Sequence, residues 1–148
     1  MRLATVLFAL ALAPTVATAQ IEEPRIPLQT KMTELTRFRV EYAENFNKKD
    51  APALAAMWAD DAIFTDFDGK TYKGMAQVRD WYTAGAPNFP HLVIESDSLA
   101  IYGNTAVDVG TTKMHPAAGA EQVARYMVVL RRGMNGWRLV RGAVTPVQ

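Results

Sequence analysis

The sequence predicts an α+β fold, a strongly curved antiparallel sheet with the N-terminal helices on its concave face. Three observations carry that expectation. Apolar residues recur at spacings of three and four only up to Tyr82, and long alternating runs fill the chain from residue 91 onward. The junctions carry turn signals: Asp68-Gly69, Gly103-Asn104 and Asn135-Gly136. Helices followed by a strand meander form a sheet that buries one face under the helices.

The first element is an address. Met1-Arg2 precede an apolar run from Leu3 to Ala13, Pro14 interrupts the run, and Ala17-Thr18-Ala19 offers a small-residue cleavage site. A bilayer-spanning helix needs about 20 apolar residues, so residues 1–19 read as a signal peptide cleaved after Ala19. The alternative reading is a retained membrane anchor. The mature protein is expected to be periplasmic or secreted, with no membrane segment after cleavage. Residues 20–30, with Pro24 and Pro27 among charges, read as an extended arm, and residues 31–148 as one domain.

Within that domain Leu35, Phe38, Tyr42 and Phe46 form the buried stripe of a first amphipathic helix. Asp50 caps a short second helix with Pro52 in its first turn, Leu54, Met57 and Trp58 on its inner side, and Asp60-Asp61 at its end. Strands at 62–66 and 70–73 flank the Asp68-Gly69 turn. Gly74 opens a third helix whose inner face holds Met75, Val78, Trp81 and Tyr82, and Gly85 with Pro87 stops it. Strands are expected at 91–102, 104–114, 121–132 and 136–145. A sheet curved over a long helix leaves a cavity at its wide end.

Composition narrows the chemistry. The chain has 148 residues, 16 Lys+Arg against 15 Asp+Glu, and no cysteine. Its charges are balanced once Arg2 leaves with the signal peptide, so no basic face exists to bind nucleic acid. The absence of thiols excludes disulfides, cysteine nucleophiles and zinc sites built on sulfur. His91 and His115 show no metal-chelating spacing, and no metal is expected.

The sequence resembles the NTF2-like superfamily, in particular its SnoaL-like and ketosteroid-isomerase-like branch (DUF4440-type domains). The resemblance rests on Tyr42-Ala-Glu-Asn-Phe-Asn-Lys-Lys-Asp50, Met57-Trp-Ala-Asp-Asp-Ala-Ile-Phe-Thr-Asp66, Gly74-Met-Ala-Gln-Val-Arg-Asp-Trp-Tyr82 and Asn135-Gly-Trp-Arg-Leu-Val140, and spans 31–146. It implies the cone fold, homodimers, and cofactor-free isomerase, dehydratase or cyclase chemistry, in a superfamily that also holds non-catalytic members. By the same resemblance Asp66 falls where the steroid isomerases carry their general base, Tyr42 where they carry a phenol donating to the enolate oxygen, and Tyr82 where a second tyrosine backs that phenol. Their second oxyanion donor falls near Val128, which cannot donate. Loss of one such donor costs about 10²–10³ in turnover, which argues against steroid isomerisation itself. Tyr126, two residues away on the same strand face, is expected beside it in the cavity.

Each candidate has a plainer reading. Asp66, on the strand face of Ala62 and Phe64, is a general base or a turn aspartate beside Asp68-Gly69. Tyr42 is a pocket donor or a core residue. His91 is expected at the pocket rim as an acid or base. Trp58, Trp81 and Trp137 belong to the core. Asp108, in register with Ala106, Gly110 and Thr112, is assigned to the outer, solvent or subunit face, and Arg131-Arg132 to a solvated strand end. The expectation is a small apolar ligand in the cone, with Asp66 and Tyr42 as catalytic groups and Tyr126, Tyr82, His91, Phe64 and Val128 around the ligand. The alternative is a non-catalytic periplasmic ligand-binding or dimerisation module.

Overall fold

Two short backbone devices place the first helix over the sheet. The computed structural model describes residues 26–147, so the expected signal peptide and its cleavage point lie outside the described residues. Helix α1 (Leu28–Asn47) begins inside the stretch expected to be extended, directly after Pro27, whose fixed φ suits a helix entry. It ends where Lys49 takes a positive φ of 62°, a conformation more usual for glycine, and the chain turns back so that Asp50 N–H donates to the Asn45 carbonyl. Asp50 then caps α2 (Ala51–Ala56), accepting from Ala53 N–H at 3.0 Å.

Strand β1 (Trp58–Thr65) starts earlier than the pattern predicted. Trp58 and Asp60-Asp61, expected in and at the end of α2, belong to the strand instead, because Trp58 pairs with Leu139 and Leu139 N–H donates to the Met57 carbonyl. A partner some eighty residues away overrides the local helical pattern. β1 runs through the expected hairpin into β2 (Thr71–Lys73), with Gly69 at φ 77°. Helix α3 (Gly74–Gly85) buries Val78 and Tyr82 completely, whereas Met75, expected on the same face, is 36% exposed in the first turn.

The remaining strands match their expected spans within a residue or so: β3 (His91–Tyr102), β4 (Thr105–His115), β5 (Gln122–Gly133) and β6 (Gly136–Pro146). The sheet order is β2-β1-β6-β5-β4-β3, antiparallel throughout except that β1 and β6 are parallel. Register shifts at Ser96/Ser98, at Val129/Leu130 and between Trp58 and Ile63 bend the strands, and the sheet is curved and unclosed. Its concave face packs on α1 and α3 around Leu54, Trp58, Phe64, Val78, Tyr82 and Leu139.

The alternation along β4 corrects one assignment. Ala106, Asp108, Gly110, Thr112 and Met114 are the buried set, so Asp108 points to the concave side and not to the outer face. The physical reason is a counter-charge from α1, described next.

Candidate functional site

Leu35, Phe38, Arg39 and Tyr42 stand at i, i+3, i+4 and i+7 of α1, on one face. Together with Trp58 and Phe64 of β1 and the inner faces of β4, β5 and β6 they enclose a cavity of about 90 Å³. Its wall is mainly apolar. Gly142 contributes room at the back, because a Cβ there would stand 2.7 Å from the Trp58 ring.

Besides Thr112, whose hydroxyl donates to the Ala124 carbonyl at 3.4 Å, polar groups reach the cavity in two clusters. The first is a chain of ring donors. Trp58 Nε1 donates to Tyr82 Oη at 3.0 Å, and the Tyr82 and Tyr42 hydroxyls are 2.7 Å apart. Indole N–H can only donate, so Tyr82 Oη accepts from it. Tyr82 is fully buried, and a buried O–H left without an acceptor is costly, so its proton belongs on Tyr42 Oη. That order leaves the Tyr42 hydroxyl proton with no protein acceptor among the described residues, on a side chain that lines the cavity. Burial pushes the Tyr42 phenol up to about 12, the hydrogen bond from Tyr82 offsetting part of the rise. Tyr82 is raised further, by burial first and by Tyr42 second. Both phenols are therefore neutral donors at ordinary pH.

The second cluster is an ion pair on the opposite part of the wall. Arg39 Nε and Nη2 both donate to Asp108 Oδ2, at 3.0 and 2.9 Å. Ser96 Oγ donates to Oδ1 at 2.6 Å and Tyr126 Oη at 3.3 Å. Four donors fill the four lone-pair positions of the carboxylate. Burial and the Asp108 charge push the Tyr126 phenol up to about 12, so it too remains a donor.

Of the residues expected at the site, Tyr42, Phe64, Tyr126 and Val128 line the cavity and Tyr82 stands behind Tyr42. Asp66 lies elsewhere. Its side chain is spent in its own turn, accepting from the backbone N–H of Asp68 (3.1 Å) and Lys70 (3.0 Å) and from Tyr72 Oη (2.9 Å). His91 is exposed at the start of the edge strand β3, opposite His115, which meets Glu121 at 3.3 Å. Trp58 does both things, core packing and cavity lining. Arg39 and Asp108 were not expected. Their signal was present all the same: a basic residue inside the apolar stripe of α1 and an acidic one amid a strand of small and β-branched residues.

Comparison with known proteins agrees with the fold. The family model of the SnoaL-like domain matches residues 40–141. No curated protein sequence matches the chain. Among solved structures, an NTF2-like protein with a cystatin-like fold from Novosphingobium aromaticivorans superposes with a TM-score of 0.71 at 20% identity, covering 82% of this chain and 84% of its own. A ketosteroid isomerase-like protein from Erwinia carotovora atroseptica gives 0.69 at 17% identity, covering 80% and 97%. A domain of unknown function from Nostoc punctiforme gives 0.73 at 15%, covering 82% and 80%. At these identities the likeness is one of fold alone.

Proposed function

The chain belongs to the SnoaL-like domain family, and from that premise we propose that it binds a small, largely apolar molecule in its cone and holds an acceptor oxygen of that molecule on Tyr42. The free Tyr42 proton carries the reading. An apolar wall supplies affinity through burial, and a single oriented phenol supplies direction. The donor chain from Trp58 through Tyr82 polarises that phenol, as consecutive hydrogen bonds do.

Isomerase, dehydratase or cyclase chemistry would also require a base facing the ligand. Asp66 lies outside the cavity with its carboxylate held in its own turn, and Asp108 has four donors on its four acceptor positions, so binding without turnover is the reading that the geometry favours. Residues 1–19 support export to the periplasm or beyond. The exposed Met127 beside Val109 on the outer sheet face supports a homodimer, which a sedimentation run at micromolar concentration checks.

Titration with small cyclic and aromatic carbonyl compounds, followed by calorimetry, tests the central claim. Tyr42→Phe should weaken carbonyl ligands by about three- to tenfold, the worth of one net hydrogen bond, and leave the matching hydrocarbons unchanged. Equal weakening of both, or no binding of any compound by the unaltered protein, overturns it.

A further inference from the structure

We infer that Asp108 sets the charge selectivity of the cavity: joined to Arg39 it makes a neutral pole that admits uncharged oxygenated ligands and turns away carboxylates and ammonium ions. The inference rests on the ligand-binding reading above and adds the class of molecule.

Arg39 alone would be a carboxylate receptor. Its guanidinium carries five donors on a rigid plane, two of them used on Asp108. A ligand carboxylate reaching for the remaining three would come to rest beside the Asp108 carboxylate, in a place where water screens little. A ligand ammonium meets the opposite obstacle, the Arg39 charge, and finds every acceptor position of Asp108 already filled. A carbonyl or ether oxygen meets only donors: the spare Arg39 N–H groups, and Tyr42 elsewhere on the wall.

Asp108 cannot swing away from this duty. Ser96, at the bulge of β3, and Tyr126 of β5 hold Oδ1 from two strands, while α1 holds Oδ2. The pair is also well shielded, with side chains only 20% and 9% exposed. A buried, fully bonded charge pair discriminates chiefly by what it repels.

The test uses three single-ring probes of similar size at pH 7: acetophenone, benzoate and benzylamine. Trp58 lines the cavity, so tryptophan fluorescence follows binding, with calorimetry as the second readout. The full chain should bind acetophenone at least about tenfold more tightly than either ion. Asp108→Asn should tighten benzoate by about tenfold or more while acetophenone moves by less than about threefold. Arg39→Gln should do the reciprocal thing and favour benzylamine. Should either single variant fail to fold, as judged by circular dichroism, Ser96→Ala frees one acceptor position on Asp108 Oδ1 and should tighten benzylamine relative to acetophenone. Benzoate binding as tight as acetophenone in the unaltered protein, or variants that leave the ratios unmoved, overturns the inference while leaving the ligand reading intact. Failure of all three probes to bind overturns both.

Discussion

At position 110 only a hydrogen atom fits. A Cβ on Gly110 would lie 2.6 Å from Tyr126 Oη and closer still to the Glu95 carbonyl oxygen, so the glycine is what lets β3, β5 and the tyrosine meet beside Asp108. Gly110→Ala should destabilise the protein by about 1–3 kcal/mol through overpacking, read from the urea midpoint, and should loosen the Tyr126 contact with it. Asp108→Ala should cost more, about 3–5 kcal/mol, because Arg39 is left as an uncompensated charge in the wall. At this scale the sequence was informative where helical spacing or strand parity could be counted, as for Tyr42 and Phe64, and where parity extended a family resemblance, as from Val128 to Tyr126. It misled for Asp108, because a charge amid small residues reads as solvent-facing until its partner is known. That partner lies 69 positions away, on another element.

Among the elements, the turn joining β1 to β2 shows how one side chain can answer for a whole segment. Asp66 is only 7% exposed, and its carboxylate gathers Asp68 N–H, Lys70 N–H and the Tyr72 hydroxyl, while its own N–H donates to the Lys70 carbonyl. Asp66→Ala should therefore lower stability by about 1–3 kcal/mol, and Asp66→Asn, which keeps an acceptor for the two amides, by clearly less. Both variants should bind acetophenone like the parent. A large loss of affinity in a well-folded Asp66→Asn would mean that the carboxylate serves the ligand after all. The order and type of the elements could be read from periodicity and turn residues alone. The α2/β1 boundary could not, since Trp58 leaves the helix to pair with a strand that the local pattern does not see.

Over the molecule as a whole, the N-terminal helix is tied to the end of the sheet by a bidentate pair. Arg132 Nε and Nη2 donate to the two oxygens of Glu34 at 2.8 and 3.0 Å, and Trp137 Nε1 adds a third bond at 2.9 Å. Arg132, expected at a solvated strand end, is thus half-buried, while its neighbour Arg131 stays at the surface with Asp61. The hydrogen bond from Arg132 is the main cause that holds the Glu34 carboxyl below its ordinary range, with Trp137 helping and partial burial opposing. A lowered native value stabilises the fold above the unfolded value of about 4.3, and that contribution disappears as pH falls through the native value. Glu34→Gln should accordingly lose stability at pH 7, and the gap to the parent in urea midpoint should narrow as pH is taken from 5 towards about 2. A gap that stays constant with pH would rule out the charged pair as its source.

The parallel ladder between β1 and β6 also has a temporal side. The chain leaves the ribosome from its N-terminus, so α1, α2, β1, β2 and α3 are all released before the strand that β1 must join. Trp58 and Phe64 then have no opposite wall, because Gly142, Ala143 and Val144 follow them by some eighty residues. Contacts of such long sequence separation form late and slowly. The final strand of the sheet therefore sets the order of assembly: β1 gains its parallel neighbour, and the cavity its far wall, only after β6 has emerged.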